Sequence, residues 1–234
     1  MNHAASSAER LRIGGLARFS TVDWPGRLAC VVFVQGCPWR CGYCHNPHLQ
    51  PRDQADGPGW PALRDWLETR RGLLDGIVFS GGEPTIDPAL GAAIREAREA
   101  GFAVGLHTAG IYPARLADVL PDLDWVGLDI KALPEDYEAV TRIRGSAQPA
   151  WESLRHLAAS GVAFECRTTL EPGLFDDASL LALADKLVEF GTRRYALQAY
   201  RPVQDRALTQ PPFRPSPAVL AQLAERFEQF EFRE

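Results

Sequence analysis

The chain has 234 residues, of which 46% are hydrophobic and 24% charged, with a formal net charge of −5. We expect a single domain over residues 1–234 with its core at about 15–200, and the negative charge argues against sequence-independent nucleic acid binding. The first residues contain no secretory signal and no apolar run could span a bilayer, so the sequence predicts a cytoplasmic protein with no membrane partner.

The first predicted strand, residues 30–35, leads into Cys37-Pro38-Trp39-Arg40-Cys41-Gly42-Tyr43-Cys44. The C-x3-C-x2-C spacing offers three thiolates, one fewer than usually complete an iron–sulfur cluster or a structural zinc site. In a 4Fe–4S cluster, this would leave one iron open to a ligand that is not protein. The alternative is a Cys3His zinc site. His45 directly follows Cys44 and poorly suits that role, whereas His48 could reach the ion.

A second motif follows the next predicted strand, residues 76–80, which runs into Ser80-Gly81-Gly82-Glu83-Pro84. Paired glycines allow backbone groups to approach a ligand because no Cβ intervenes. The pair alone is a weak signal, but one strand–helix unit after a three-cysteine loop it is a strong one. Asp87 as N-cap, Pro88 at the first helical position and Gly101 past the end predict the following helix.

Four further strands are predicted at residues 102–107, 125–130, 162–169 and 194–200. Along a strand, successive side chains point to opposite faces. In the first three of these strands, one face is apolar. The other face carries small side chains near the start of the strand and polar side chains near its end, namely His107, Asp129, Lys131 and Arg167. In barrels of alternating strands and helices, active sites lie at the C-terminal ends of the strands. The pattern therefore predicts a site that keeps space and charge at these ends.

The alternation of strands and helices predicts an α/β fold with a parallel sheet. Because six strands are predicted rather than eight, we expect an incomplete (β/α)6 barrel with one open side. Ser216-Pro217 opens a predicted C-terminal helix at about 216–230, with Leu220, Leu223, Phe227 and Phe230 on one face.

These motifs resemble those of radical S-adenosylmethionine (SAM) enzymes, and the fold implied is the incomplete barrel of that type. Within that group the chain is similar to the activating enzymes of glycyl radical enzymes, above all to anaerobic ribonucleoside-triphosphate reductase activating proteins. The resemblance runs from about residue 15 to residue 200. It rests further on Thr21-Val22-Asp23-Trp24-Pro25-Gly26, Gln35-Gly36-Cys37, Cys44-His45-Asn46-Pro47 and Asp129-Ile130-Lys131.

The resemblance implies a 4Fe–4S cluster held by Cys37, Cys41 and Cys44, whose open iron binds the amino and carboxylate groups of SAM. The reduced cluster would cleave SAM to methionine and a 5′-deoxyadenosyl radical, which removes a hydrogen atom from a glycine Cα on a partner protein. The implied partners are a glycyl radical enzyme, most of all anaerobic ribonucleotide reductase, and an electron donor such as flavodoxin or ferredoxin.

The same resemblance implies a set of SAM-binding residues. Tyr43 contacts adenine, and the segment Gly81-Gly82-Glu83 meets the methionine amino group. Asp129 and Lys131 lie near the methionine carboxylate and the ribose. The set is completed by Thr108 and Arg167, and Gln198 faces the same pocket.

One position departs from the pattern of pyruvate formate-lyase activases. They carry Asp-Thr-Asn-Gly at the end of the third strand, where the Asp helps to bind a monovalent cation. Here the segment is His107-Thr108-Ala109-Gly110. Because an imidazole replaces a hard oxygen ligand, a cation site is not expected. His107 either hydrogen-bonds the ligand or is a satisfied core histidine.

Three alternatives remain at the level of sequence. Pyruvate formate-lyase could be the partner, because no ferredoxin-like insert with further cysteine clusters is present and only Cys30 and Cys166 remain. A radical enzyme acting on a small molecule, such as a deazapurine-forming synthase, usually modifies the cysteine loop. A non-enzymatic zinc or iron–sulfur module would leave Gly81-Gly82-Glu83 and the Asp129/Lys131 pair unexplained.

Overall fold

The computed structural model describes residues 7–202 and 210–234. These residues form one eight-stranded sheet in the order β1 to β8 along the chain. β1 pairs antiparallel with β2, and every later neighbour is parallel. The strands are β1 (Ile13–Ser20), β2 (Ala29–Val34), β3 (Gly76–Gly81), β4 (Ala103–Thr108), β5 (Trp125–Asp129), β6 (Ala163–Thr169), β7 (Arg194–Gln198) and β8 (Gln229–Arg233).

Helices connect the parallel strands, so each crossover carries at least one of them. They are α1 (Trp60–Glu68), α2 (Leu90–Glu99), α3 (Pro113–Val119), α4 (Tyr137–Thr141), α5 (Ala147–Ser160), α6 (Asp177–Glu189) and α7 (Pro217–Arg226). All of the helices found in residues 7–202 and 210–234 are too short or too polar to cross a membrane.

The predicted α/β architecture and its incomplete barrel are confirmed, and the six predicted strands correspond to β2–β7. The count of six was too low, because β1 and β8 add one strand at each edge. β1 and β8 lie at opposite ends of the strand order, and within the described residues no pairing joins them. The barrel is therefore open between β1 and β8.

The predicted C-terminal helix at 216–230 is correct at its start and wrong at its end. The Ser216 side chain accepts a hydrogen bond from the Val219 amide and caps α7, but α7 ends at Arg226. The chain then turns into β8, which contains Phe230. Similarly, α2 begins at Leu90 rather than at Pro88, while Asp87 accepts a hydrogen bond from the Ala89 amide just before it.

The lower part of the barrel interior is filled by two tryptophans. Trp24, from the turn between β1 and β2, stacks on Trp125 of β5 with ring centroids 5.8 Å apart. A Cβ atom at Gly76 would lie 2.9 Å from the Trp24 ring, and one at Gly105 3.0 Å from it. The small residues at the starts of these strands therefore make room for indole rings, and the open space lies above them.

Candidate active site

The three cysteines of the loop after β2 line one cavity together with residues from the ends of β3 to β7. The cavity is about 220 Å³ in volume. Every predicted site residue except Glu83 lines it: Cys37, Cys41, Tyr43, Cys44, Gly81, Gly82, Thr108, Asp129, Lys131 and Arg167. Gln198 lines it as well, as expected.

Hydrogen bonds close the base of the cysteine loop into a ring. The side-chain nitrogen of Gln35, Nε2, donates to the carbonyl oxygens of His48, at 2.9 Å, and Pro51, at 2.5 Å. The Cys37 amide donates to the Gln50 carbonyl at 3.1 Å. Because Gln35 is only 2% exposed, these bonds are shielded from water. The loop therefore projects over the strand ends from a fixed base.

The two glycines at the end of β3 serve the packing of this base. A Cβ atom at Gly81 would lie 2.6 Å from the Val34 amide nitrogen, and one at Gly82 would collide with the Gly36 carbonyl. Gly81 also has a φ of 113°, which strongly favours glycine. The sequence predicts that the glycines open the backbone to a ligand. They also allow β3 to meet the root of the cysteine loop.

The three thiols suit a cluster better than a single ion. Burial is the main cause that raises the pKa of Cys37 to about 12, and burial likewise raises the pKa of Cys41. Across the residues that the structure describes, no three His, Cys, Asp or Glu side chains converge on a point that could hold one metal ion. A 4Fe–4S cluster does not require such convergence, because each thiolate binds a different iron.

A charged network occupies the upper end of β5 and β6. Arg167 donates to one carboxylate oxygen of Asp129 from Nη2 at 2.8 Å and from Nε at 2.9 Å. Lys131 Nζ lies 3.6 Å from the other oxygen and 3.3 Å from the Tyr43 hydroxyl. This nitrogen also lies 5.3 Å from the centre of the Tyr43 ring. Lys131 thereby connects the cysteine loop to the sheet.

Asp129 and Lys131 stay ionised, although Lys131 is buried and Asp129 is only partly exposed. Burial opposes the charge on Asp129, but Arg167 and Lys131 outweigh it and lower the pKa of Asp129. Burial also opposes the charge on Lys131, but Tyr43, Cys41 and Asp129 outweigh it and raise the pKa of Lys131. Two cations thus face one carboxylate, which leaves a surplus positive charge for a ligand carboxylate.

Glu83 is placed differently from the prediction. Its side chain is fully buried and lies behind the cavity wall, not in the cavity lining. One carboxylate oxygen accepts from the Thr108 hydroxyl at 2.6 Å and the other from the Ala109 amide at 2.8 Å. The Thr85 hydroxyl and backbone amide also donate to the first of these two oxygens. Glu83 therefore supports the loop after β4, with three donors on one carboxylate oxygen and one on the other.

His107 lines the cavity and is hydrogen-bonded on both ring nitrogens. Nε2 lies 2.7 Å from the Asp23 carbonyl oxygen, which only accepts, so Nε2 carries the proton. Nδ1, 3.2 Å from the Ser80 hydroxyl, then accepts from it. Burial, with help from Arg167, lowers the pKa of His107 to about 3, so the ring is neutral. Of the two roles left open by the sequence, this geometry favours the satisfied histidine.

Sequence reasoning missed Tyr137 and the packing role of Trp39. The Tyr137 hydroxyl accepts from the Lys131 amide at 3.1 Å and donates to the Asp129 carbonyl at 3.4 Å. Its ring meets the edge of Trp39, in the cysteine loop, at a centroid distance of 5.9 Å. Both side chains are almost fully buried. Tyr137 thus ties the Asp129–Lys131 segment to the loop. Its place on a five-residue helix left no periodic signal to find it.

The profile of the radical SAM superfamily matches residues 31–187. The chain is 27% identical over 210 residues to a Methanocaldococcus jannaschii protein that carries the name glycyl-radical enzyme activating enzyme, covering 81% of this chain and 80% of the other. It is 32% identical over 174 residues to the pyruvate formate-lyase-activating enzyme of Clostridium pasteurianum, covering 70% of this chain and 71% of that one.

Among solved structures, Streptococcus suis SuiB bound to S-adenosylmethionine superposes with a TM-score of 0.64 at 15% identity. The match covers 85% of this chain and 48% of that one, so the chain spans about half the length of SuiB. At this identity the similarity concerns the fold.

Proposed function

The chain belongs to the radical SAM superfamily, whose enzymes use a 4Fe–4S cluster and SAM, and we propose that this member activates a glycyl radical enzyme. One observation carries the proposal: three cysteines with the spacing of the family and a charged network suited to a zwitterion face the same cavity. Relatives named as glycyl radical enzyme activases, which match most of their own length, support it.

Cys37, Cys41 and Cys44 would hold the cluster, each thiolate on a different iron. They lie on one loop whose base is fixed by Gln35, and Tyr43 lies between two of them. Because burial keeps the Cys37 and Cys41 thiols protonated, binding of the cluster must release their protons. The loop also forms one wall of the cavity, which would shield one side of the bound group from water.

SAM would bind between the loop and the ends of β3 to β6. Lys131 and Arg167 offer the surplus positive charge that a methionine carboxylate needs, and Asp129 keeps both cations in place. The Tyr43 ring, buried beside Lys131, offers a surface for adenine. Backbone groups of Gly81 and Gly82 face the same space. When bound, the reduced cluster and SAM supply the hydrogen-abstracting radical, while the protein positions them.

The substrate in this proposal is a glycine residue of the partner. One hydrogen atom leaves its Cα and joins the 5′ carbon of the adenosyl group, so that a glycyl radical and 5′-deoxyadenosine result. The single electron that cleaves SAM comes from a reduced carrier such as flavodoxin or ferredoxin. The open side between β1 and β8 gives a narrow glycine loop a way into the cavity.

The motifs at residues 21–26 and 44–47 and the lack of a ferredoxin-like insert suit the activases of anaerobic ribonucleotide reductase and of pyruvate formate-lyase alike. Between the two, the partner we propose is anaerobic ribonucleoside-triphosphate reductase, on the overall resemblance of residues 15–200 to its activating proteins. The similarity to the Clostridium pasteurianum enzyme makes pyruvate formate-lyase the second candidate.

The test mixes the anaerobically reconstituted, reduced protein with SAM and each candidate partner in turn. We expect an organic radical doublet by electron paramagnetic resonance with the reductase and none when Cys41→Ala replaces the wild-type protein. A doublet only with pyruvate formate-lyase would change the partner and keep the class. If neither partner yields a radical and a small molecule stimulates formation of 5′-deoxyadenosine, the activase proposal fails.

A further inference from the structure

The cavity has two walls of different chemistry. The cysteine loop and the ends of β3 to β5 supply thiols, glycines and the Asp129–Lys131 pair. At the other side, β6 contributes Arg167 and Thr169, and β7 contributes Gln198. Arg167 is committed to Asp129. Thr169 and Gln198 are the polar groups on this second wall to which the proposed SAM binding assigns no contact.

Gln198 is the lining residue closest to the open edge on this side. It pairs in register with Thr169 on β6 and with Arg233 on β8. Arg233 does not reach the cavity, because its guanidinium forms two hydrogen bonds of 3.0 Å with the Glu165 carboxylate. A second carboxylate, that of Glu231, holds its Nε at 2.7 Å. Among the described residues, Gln198 is therefore the cavity-lining side chain on the strand next to β8.

One neighbour contacts this carboxamide. The Thr169 hydroxyl donates to Gln198 Oε1 at 3.2 Å. With the oxygen bound to the wall, the NH2 group of Gln198 faces away from Thr169. In the part of the chain that the structure describes, Nε2 has no hydrogen-bond partner, and its residue lines the cavity. Two N–H donors are thus presented to whatever enters.

We propose that Gln198 orients the substrate by donating hydrogen bonds to a main-chain carbonyl of the glycine-bearing segment, an inference that rests on the proposed function. Glycine has no side chain by which it could be recognised, so its position must be read from the backbone. A carboxamide that directs free N–H donors into the cavity suits a peptide carbonyl, which only accepts. Thr169 acts as a positioning residue, because it holds the amide in this orientation.

The experiment compares Gln198→Glu with the wild-type protein, using whichever candidate partner gives the radical with the wild type. Glutamate keeps the length but has no donors and repels a carbonyl oxygen. We expect the KM for the partner to rise by roughly tenfold or more, the order expected for a hydrogen bond lost with an acceptor left unpaired. The dissociation constant for SAM, measured by calorimetry, should change by a smaller factor.

A second readout is the coupling of the two products. A poorly oriented glycine lets SAM cleavage run without radical transfer, so the glycyl radical formed per 5′-deoxyadenosine should fall in Gln198→Glu. Thr169→Val, which removes the hydroxyl and keeps the shape, should give an intermediate fall. Gln222→Glu, the same change on the exposed face of α7, is the matched control.

Two results would overturn the inference. If Gln198→Glu weakens SAM binding as much as partner binding, Gln198 belongs to the SAM site. If KM and coupling equal those of Gln222→Glu, it has no role in recognition. Both results require an active wild-type protein. A wild type that forms no radical with either partner would instead contradict the proposed function.

Discussion

The lower and upper halves of the barrel interior are built from the same strands but hold opposite chemistry. In the lower half, Trp24 and Trp125 stack over glycines and no polar group is needed. In the upper half, Asp129, Lys131 and Arg167 form a buried charged network. Small residues on the inner face of a strand therefore mark a cavity only where no side chain from another part of the chain, such as Trp24, fills the space beside them. His107 lies at the boundary, with its ring against Trp125.

The comparison predicts that substitutions in the upper half weaken binding of the cluster or of SAM, whereas substitutions in the lower half lower the free energy of unfolding. The largest effect is expected for Cys41→Ala, which should abolish binding of the cluster. The apo-protein should lose less than about 1 kcal/mol of unfolding free energy, because the thiol is only partly buried. Iron analysis after anaerobic reconstitution, together with urea denaturation of the apo-protein, measures both quantities.

Cys30→Ala is the matched control, since Cys30 is fully buried in β2 away from the cavity. It should keep its iron. If Cys30→Ala lost the cluster and Cys41→Ala retained it, the ligands proposed here would be wrong.

The next effect concerns the charges of the upper half. Lys131→Met should weaken SAM binding by about 3 kcal/mol, the upper end for a hydrogen bond to a charged group, because it removes one of the two cations that would face the ligand carboxylate. Iron content should stay the same. Lys186→Met, on α6, changes the other lysine of the chain and serves as the control. Equal SAM affinity of the two variants by calorimetry would place Lys131 outside the binding site.

A comparable loss of stability, without loss of ligands, is expected in the lower half. Trp24→Ala should lower the free energy of unfolding by about 3–5 kcal/mol, because it leaves a large void beside Trp125. Urea denaturation of the apo-protein measures this loss, and Trp24→Phe should lose less. If the folded fraction of Trp24→Ala could not be reconstituted with iron, the two halves would not be independent.

The smallest effect is expected at the boundary. The pKa of His107 is lowered from 6.5 to about 3, mainly by burial. The unfolded chain therefore binds a proton that the folded chain rejects. This contribution to stability is complete above pH 6.5 and is lost as the pH falls toward 3. His107→Asn, which does not titrate, should show a smaller loss on acidification, by roughly 1–2 kcal/mol at pH 5.

Urea denaturation of the apo-protein between pH 7.5 and pH 5 would measure the difference. If both proteins lost stability in parallel over this range, His107 would be protonated in the folded state. The boundary between the two halves would then be more open to water than its hydrogen bonds indicate.

The core of the barrel was predictable because each strand from β2 to β7 carries a short apolar run or one apolar face, and turn residues bound it. The edges were not. β1 contains Gly14 and Gly15 and shows little alternation. In the C-terminal segment, Phe227 and Phe230 continue the helical spacing of α7, and both pack on Tyr195. Phe227 follows the helix and Phe230 lies on the strand, yet both rings contact Tyr195. The spacing of apolar residues therefore could not distinguish a longer helix from a helix followed by a strand.

Much of the candidate site could also be predicted, because its residues sit on motifs at strand ends. Glu83 shows the limit of that reasoning. The motif identifies the residue, but only the fold shows that Thr85, Thr108 and Ala109 converge on its carboxylate. Tyr137 shows another limit, since a hydroxyl that binds backbone groups six and eight residues earlier leaves no pattern in the sequence.

The stacked indoles beneath the cavity also set the order of events in turnover. Among the described residues, the stacked Trp24 and Trp125 close the barrel beneath the cavity, so a small molecule bound above them would leave by the mouth at the upper end. A macromolecule seated on that mouth would trap whatever lies beneath it. Loading must then precede docking, and release must follow undocking, so a partner with a long residence time would slow every cycle after the first.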